Sequence, residues 1–157
     1  MILRAIDFML ENNLSISCAE SCSGGLLAAK FIDYPGISKI FYEGIVSYSN
    51  DSKISRLRVR EDSLKKYGAV SSEIALEMVD GLSSDICIST TGIAGPNSDN
   101  SQKPVGLVYI GLKILGKKYV KKFNFSGNRN GIRKKTVDEA LKFLDEKLFG
   151  EDYEKNN

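Results

Sequence analysis

The 157-residue chain contains no histidine. That absence removes every mechanism built on an imidazole: the Ser-His-Asp triad, the Cys-His dyad, the HExxH metalloproteases and zinc sites with His ligands. A catalyst of this composition must work with Ser, Cys, Lys, Tyr, Asp or Glu. Cysteine is scarce too. Cys18, Cys22 and Cys87 form an odd set with no CxxC spacing, which indicates neither a disulfide framework nor a thiolate metal site. Long apolar runs are missing: the longest is Val105–Leu112, its two glycines included, against the ~20 residues of a membrane span. The N-terminal MILRAIDFMLEN carries Asp7 and Glu11 where a signal peptide needs an unbroken apolar region. A cytoplasmic protein without membrane contact is expected, and the sequons at Asn13, Asn50 and Asn124 then carry no meaning.

What is present is ordinary for a soluble globular chain, 42% hydrophobic and 27% charged, enough to bury a core without staples. Lys plus Arg number 22 and Asp plus Glu 20, a net charge of +2 that favours no partner class. One domain over residues 1–150 is predicted, with 151–157 a frayed polar tail. Apolar positions Ile2, Ala5, Ile6, Met9 and Leu10 have amphipathic helical spacing. Short strands are predicted at Leu14–Ala19, Phe41–Tyr48 and Asp85–Thr90, and a hairpin over Val105–Phe125 around Gly116. Helices are predicted at Ser21–Asp33, Asp51–Leu57, Glu61–Tyr67, Ser72–Leu82 and Gly131–Leu148, with Ser71 as a cap. Helices alternating with strands and ending in a hairpin predict a three-layer α/β/α domain. Its sheet should be mixed and mainly parallel, of five or six strands.

Three strand ends carry residues suited to chemistry. Ser17-Cys18-Ala19-Glu20-Ser21-Cys22-Ser23-Gly24-Gly25 stands at a strand-to-helix junction, where open α/β sheets bind ligands. Hydroxyls of Ser21 and Ser23 and the small Gly24 and Gly25 suit a ligand at a helix N-terminus; an N-cap followed by close helix packing explains them equally. Tyr48-Ser49-Asn50-Asp51-Ser52-Lys53 is the second junction. A serine nucleophile without histidine needs another base, and a desolvated lysine serves, although Lys53 read alone is one surface lysine among many. Ser63-Leu64-Lys65-Lys66 matches SxxK literally but has no companion KTG and reads as chance. The third, Thr90-Thr91-Gly92-Ile93-Ala94-Gly95-Pro96, opens a long connection to Lys103-Pro104. Its glycines can cradle a phosphate or an oxyanion, though it is not a P-loop.

From Lys113 to Lys135 nine Lys or Arg occur without an acidic residue. Such a run can track nucleic acid, yet it lacks aromatic interleaving and reads better as a lysine-protected hairpin edge. Arg129 and Arg133 stand apart as possible ligands of one phosphate.

In order along the chain, Ala19–Gly25, Phe41-Tyr42-Glu43-Gly44, Val46–Asn50, Lys53, Tyr67–Ser71, Thr91–Pro96, Lys103–Gly106 and Phe125–Arg129 resemble the CinA C-terminal domain family, the PncC-type nicotinamide-nucleotide amidases. The resemblance covers about residues 3–148. It implies hydrolysis of the carboxamide of nicotinamide mononucleotide to the acid and ammonia, with Ser21 as nucleophile, Lys53 as base and the Tyr48 hydroxyl assisting between them. N–H groups near Cys22–Gly24 are the implied oxyanion donors. Glu20 would orient Lys53 or balance the pyridinium charge. Cys22, Ser23, Gly24, Gly25, Thr91, Gly92, Ala94, Gly95 and Arg129 complete the expected substrate site, the Thr91–Pro96 loop and Arg129 at its ribose-phosphate end. No metal or cofactor is called for; a nucleotide substrate and further copies of the chain are the expected partners.

Two positions depart from the family pattern. Ser23 stands where Thr is usual, keeping the hydroxyl, and Asn128 where Asp is frequent, removing a charge. The large N-terminal domain of full-length CinA proteins is absent from this sequence, so the amidase half alone is expected. Two other readings stay open: a nucleotide-binding or regulatory module without turnover, and a nucleic-acid-binding accessory protein. Cys22 is the competing nucleophile.

Overall fold

The computed structural model describes residues 2–150; the predicted tail at 151–157 lies outside them. Five strands form one sheet in the order β2-β1-β3-β4-β5. They are β1 (Ile16–Glu20), β2 (Phe41–Val46), β3 (Ile86–Gly92), β4 (Leu107–Ile114) and β5 (Lys117–Asn124). β1 pairs in parallel with both β2 and β3, while β4 runs antiparallel to β3 and to β5. Strand β1 is buried along its whole length, as a central strand covered on both faces must be.

Helices α1 (Ile2–Glu11), α2 (Leu26–Ile32) and α6 (Arg129–Phe149) cover one face, and α3 (Asn50–Leu57), α4 (Glu61–Tyr67) and α5 (Ser72–Asp80) the other. Each face has its own apolar core. Met9, Phe31, Ile88, Ile110 and Leu144 belong to the first; Leu57, Ile74, Met78 and Cys87 belong to the second. The expected three layers and mixed sheet are therefore present.

Local chemistry sets the boundaries. Ser71 caps α5 by accepting from the Ile74 N–H, and Asn128 caps α6 by accepting from the Gly131 N–H. A cap needs a side-chain oxygen, which Asn supplies as well as Asp. Leu115 and Gly116 both take positive φ and close the β4–β5 hairpin, the backbone a tight two-residue turn demands. Strand β5 forms one sheet edge, where Lys118 meets Asp80 at 2.9 Å and Lys121 meets Glu146 at 3.4 Å.

Most predicted boundaries shift by one or two residues, and one moves further. The helix expected from Ser21 begins at Leu26, because Gly24 and Gly25 stand at φ +57° and +100°, outside the right-handed helix. Residues 21–25 form a turn instead, closed by the Gly24 N–H on the Ser21 carbonyl at 3.1 Å.

Candidate active site

Parallel pairing aligns three strand ends. Glu20 lies opposite Val46 on one side and Thr90 on the other, so Ser21, Ser47 and Thr91 stand at one level, with Thr91 still paired to Tyr109 of β4. The Ser21 and Ser47 N–H groups continue the ladder onto the carbonyls of Thr90 and Glu20. A cleft of about 480 Å³ opens outside these carboxyl ends, where an open α/β sheet offers backbone groups that no neighbouring strand uses.

Lys53 enters the cleft through helix geometry. Ser49 caps α3 by accepting from the Ser52 N–H at 3.1 Å. Lys53 then shares a helix stripe with Leu57, four residues on; burying Leu57 against the second core carries Lys53 inward. It is 1% exposed. Its Nζ lies 3.0 Å from Ser21 Oγ, 3.0 Å from the Ser47 carbonyl and 3.1 Å from the Tyr48 carbonyl. No carboxylate forms an ion pair with it among the described residues. Burial without an opposite charge pushes the ammonium down to about 8, with Cys22 acting in the other direction.

The ammonium can donate to all three groups; the neutral amine fits the same contacts in one way. A neutral lysine has two N–H donors and one lone pair. The two carbonyls can only accept and take the two donors, which leaves the lone pair for the Ser21 hydroxyl proton. Ser21 and Lys53 are thus in direct contact, an arrangement able to work as nucleophile and base.

Other expected site residues divide into two groups. Cys22, Tyr48, Thr91, Gly92, Ala94, Gly95 and Arg129 line the cleft with Ser21 and Lys53. Thr91 donates its hydroxyl to the Ala69 carbonyl at 2.8 Å. Gly92 has no room for a side chain, since a Cβ there would come within 3.1 Å of Cys22 Sγ and closer still to Val108. Arg129 donates to the Gly95 carbonyl at 2.7 Å and to the Tyr48 hydroxyl at 2.9 Å.

Glu20, Ser23, Gly24 and Gly25 do not line the cleft. Glu20 is fully buried and turns beneath the turn, accepting from the Leu27 N–H at 2.8 Å, the Ala28 N–H at 3.0 Å and the Ser23 hydroxyl at 2.6 Å. Its carboxylate satisfies the first N–H groups of α2. Among the described residues no lysine pairs with it, and it does not line the cleft. Ser23 also shares a hydrogen bond with Thr90 Oγ1 at 2.7 Å, and the two glycines shape the turn.

Two further expectations are corrected. The Tyr48 hydroxyl is held by Arg129 and does not lie between Ser21 and Lys53, which touch directly; Tyr48 meets the lysine through its backbone carbonyl. Arg129 and Arg133 do not converge on one ligand. Arg133 donates to the carbonyls of Cys22 and Ser23 at 3.2 and 3.1 Å, with the cleft to Arg129 alone. Cys22 is 5% exposed, and burial pushes its thiol up to about 11, which makes a poor thiolate nucleophile.

Sequence reasoning missed the opposite wall. Gly68, Ala69 and Val70 line the cleft together with the polar segment Asn97–Ser101. Lys103 straps these pieces together, donating to the carbonyls of Tyr67 and Val70 at 2.6 Å each. The Ser47 and Tyr48 carbonyls that hold Lys53 are backbone atoms, invisible in residue types.

The family pattern of the CinA C-terminal domain matches residues 2–148. A competence-damage inducible protein of Clostridium botulinum is 55% identical over 142 residues, 88% of this chain and 35% of that protein. A Clostridium tetani relative of the same name is 55% identical over 146 residues, covering 90% of this chain and 36% of its own length. The chain thus spans about a third of the length of these relatives. The crystal structure of competence damage-inducible protein A from Klebsiella pneumoniae superposes with a TM-score of 0.90 at 30% identity, covering 94% of both chains. That of the competence/damage inducible protein from Agrobacterium tumefaciens gives 0.87 at 36% identity over 91% of this chain and 90% of its own. With this agreement of sequence and fold along nearly its whole length, the chain belongs to the CinA C-terminal domain family.

Proposed function

We propose that this domain is an amidohydrolase that deamidates nicotinamide mononucleotide to nicotinic acid mononucleotide and ammonia. The observation that carries the reading is the buried Lys53, unpaired with any carboxylate among the described residues and 3.0 Å from Ser21 Oγ. A lysine so placed is a base for a serine and serves no ion pair. The cleft volume of about 480 Å³ suits a mononucleotide.

Neutral Lys53 removes the Ser21 proton as Oγ attacks the carboxamide carbon. The Cys22 N–H donates to no other backbone group among the described residues and stands next to the nucleophile, suited to receive the oxyanion. Collapse of the tetrahedral species breaks the C–N bond. The proton held by Lys53 passes to the departing nitrogen, releasing ammonia and leaving an acyl ester on Ser21. Lys53, neutral again, draws a proton from water; hydroxide attack on the ester breaks the C–Oγ bond, and Lys53 returns that proton to Ser21 Oγ, releasing the acid and restoring both residues. Arg129 and the Thr91–Pro96 loop line the same cleft and offer a cation and backbone groups to the ribose-phosphate end.

Release of ammonia from nicotinamide mononucleotide by the purified chain, measured with excess chelator present, tests this reading. Turnover that survives chelation supports it. Ligand binding without ammonia would favour a regulatory nucleotide-binding module, and loss of turnover restored by zinc or magnesium would remove the serine-lysine mechanism.

A further inference from the structure

The turn that carries Ser21 is held from three directions. Thr90 anchors the Ser21 N–H through its carbonyl at 3.0 Å. Glu20 holds Ser23 and the start of α2 from below. Arg133, from the early turns of α6, crosses 111 residues of sequence to reach the turn from the side. Its Nε donates to the Cys22 carbonyl at 3.2 Å and its Nη2 to the Ser23 carbonyl at 3.1 Å.

These contacts address a local weakness. With Gly24 and Gly25 adjacent at positive φ, the turn has little conformational preference of its own. The Cys22 carbonyl receives no backbone N–H among the described residues, and the Ser23 carbonyl receives only that of Leu26. The guanidinium fork grips two successive peptide planes at once, just beyond the nucleophile. Gly24 leaves it room: a Cβ there would stand 3.2 Å from Arg133 Nη2. Arg133 is half-buried and does not line the cleft.

We propose that Arg133 is a positioning residue, which fixes the Ser21 hydroxyl against Lys53 by clamping the Cys22 and Ser23 carbonyls from helix α6. The inference rests on Ser21 being the nucleophile, as argued above. Arg133 acts through the backbone and touches neither substrate nor the reacting atoms. A lysine in its place offers a point charge without the fork and cannot hold two carbonyls in fixed geometry.

The test is the rate at which a fluorophosphonate labels Ser21 in the full chain, followed by mass spectrometry across pH. In that reaction Oγ attacks phosphorus, Lys53 takes the hydroxyl proton and fluoride leaves, so substrate binding does not enter. The parent should be labelled and Ser21→Ala should not. Arg133→Gln and Arg133→Lys should both label about 100-fold more slowly, the cost of a displaced reacting group. The midpoint of the pH dependence should stay with the parent, because the clamp sets position and not the ionisation of Lys53. Should Arg133→Gln fail to fold, Arg133→Lys alone decides. Parent-like labelling of Arg133→Lys would show that charge suffices, and a shifted midpoint would show an electrostatic action on Lys53; either overturns the clamp. An unlabelled parent overturns the nucleophile assignment and this inference with it.

Discussion

Lys53 Nζ and Ser21 Oγ stand 3.0 Å apart across 32 residues of chain, the serine delivered by the end of strand β1 and the lysine by the first turn of helix α3. Two backbone carbonyls take the other directions around the nitrogen. The pair therefore has one arrangement in which the amine is neutral, and in it the lone pair meets the serine proton.

The first expectation concerns the nucleophile. Ser21→Ala should abolish ammonia release while leaving the melting temperature close to that of the parent. Cys22→Ala should keep much of the activity, since the thiol stays protonated at neutral pH with burial holding it at about 11. Rapid alkylation of Cys22 with parallel loss of activity, and an equally dead Cys22→Ala, would reverse the assignment.

The second is a pH profile. With Lys53 titrating at about 8, roughly a tenth of the molecules carry the neutral base at pH 7. kcat/KM should rise about tenfold per pH unit below the midpoint and level off above it. Lys53→Arg retains charge but cannot surrender its proton, and should be inactive. Tyr48→Phe keeps the carbonyl that holds Lys53, so its profile should keep the parent midpoint whatever its effect on substrate binding.

Stability should follow the same titration with a definite sign. The folded Lys53 pKa of about 8 lies below the ordinary 10.5, so between these values the unfolded chain binds more protons and stability rises with pH. Below about pH 8 the full cost of burying the ammonium is present; approaching 10.5 it is relieved. Lys53→Met has no such group. Thermal melts of the two proteins from pH 7 to 10.5 should show the parent gaining on the variant as pH rises, and parallel curves would contradict the buried, depressed lysine.

Glu20 is expected to matter for the fold and not for the substrate. Glu20→Ala removes the acceptor of the Leu27 and Ala28 N–H groups and of the Ser23 hydroxyl. Unfolding measurements should show a loss of about 1–3 kcal/mol. KM of the folded protein should stay within a few-fold of the parent. A large rise in KM without loss of stability would return Glu20 to the substrate.

The order of helices and strands was legible in the sequence because periodicity, caps and turn glycines act over a few neighbouring residues. Ser71, Asn128 and Gly116 end or begin elements through atoms within three positions of themselves. The strand ends bearing Ser21, Tyr48 and Thr91 were legible too, through the ordered motifs of a family resemblance. Residue types alone marked Lys53 as one more surface lysine. Only the tertiary structure decided its burial against Leu57's core, its want of a carboxylate and hence its lowered proton affinity. It likewise gave Glu20 to the helix start, the Tyr48 hydroxyl to Arg129 and Arg133 to the serine turn. Glu20 meets its partners seven and eight residues on, but Lys53 with Ser21, Tyr48 with Arg129 and Arg133 with Cys22 meet across 32, 81 and 111 residues. A side chain's charge and reach do not reveal which distant carbonyl will be left without a partner.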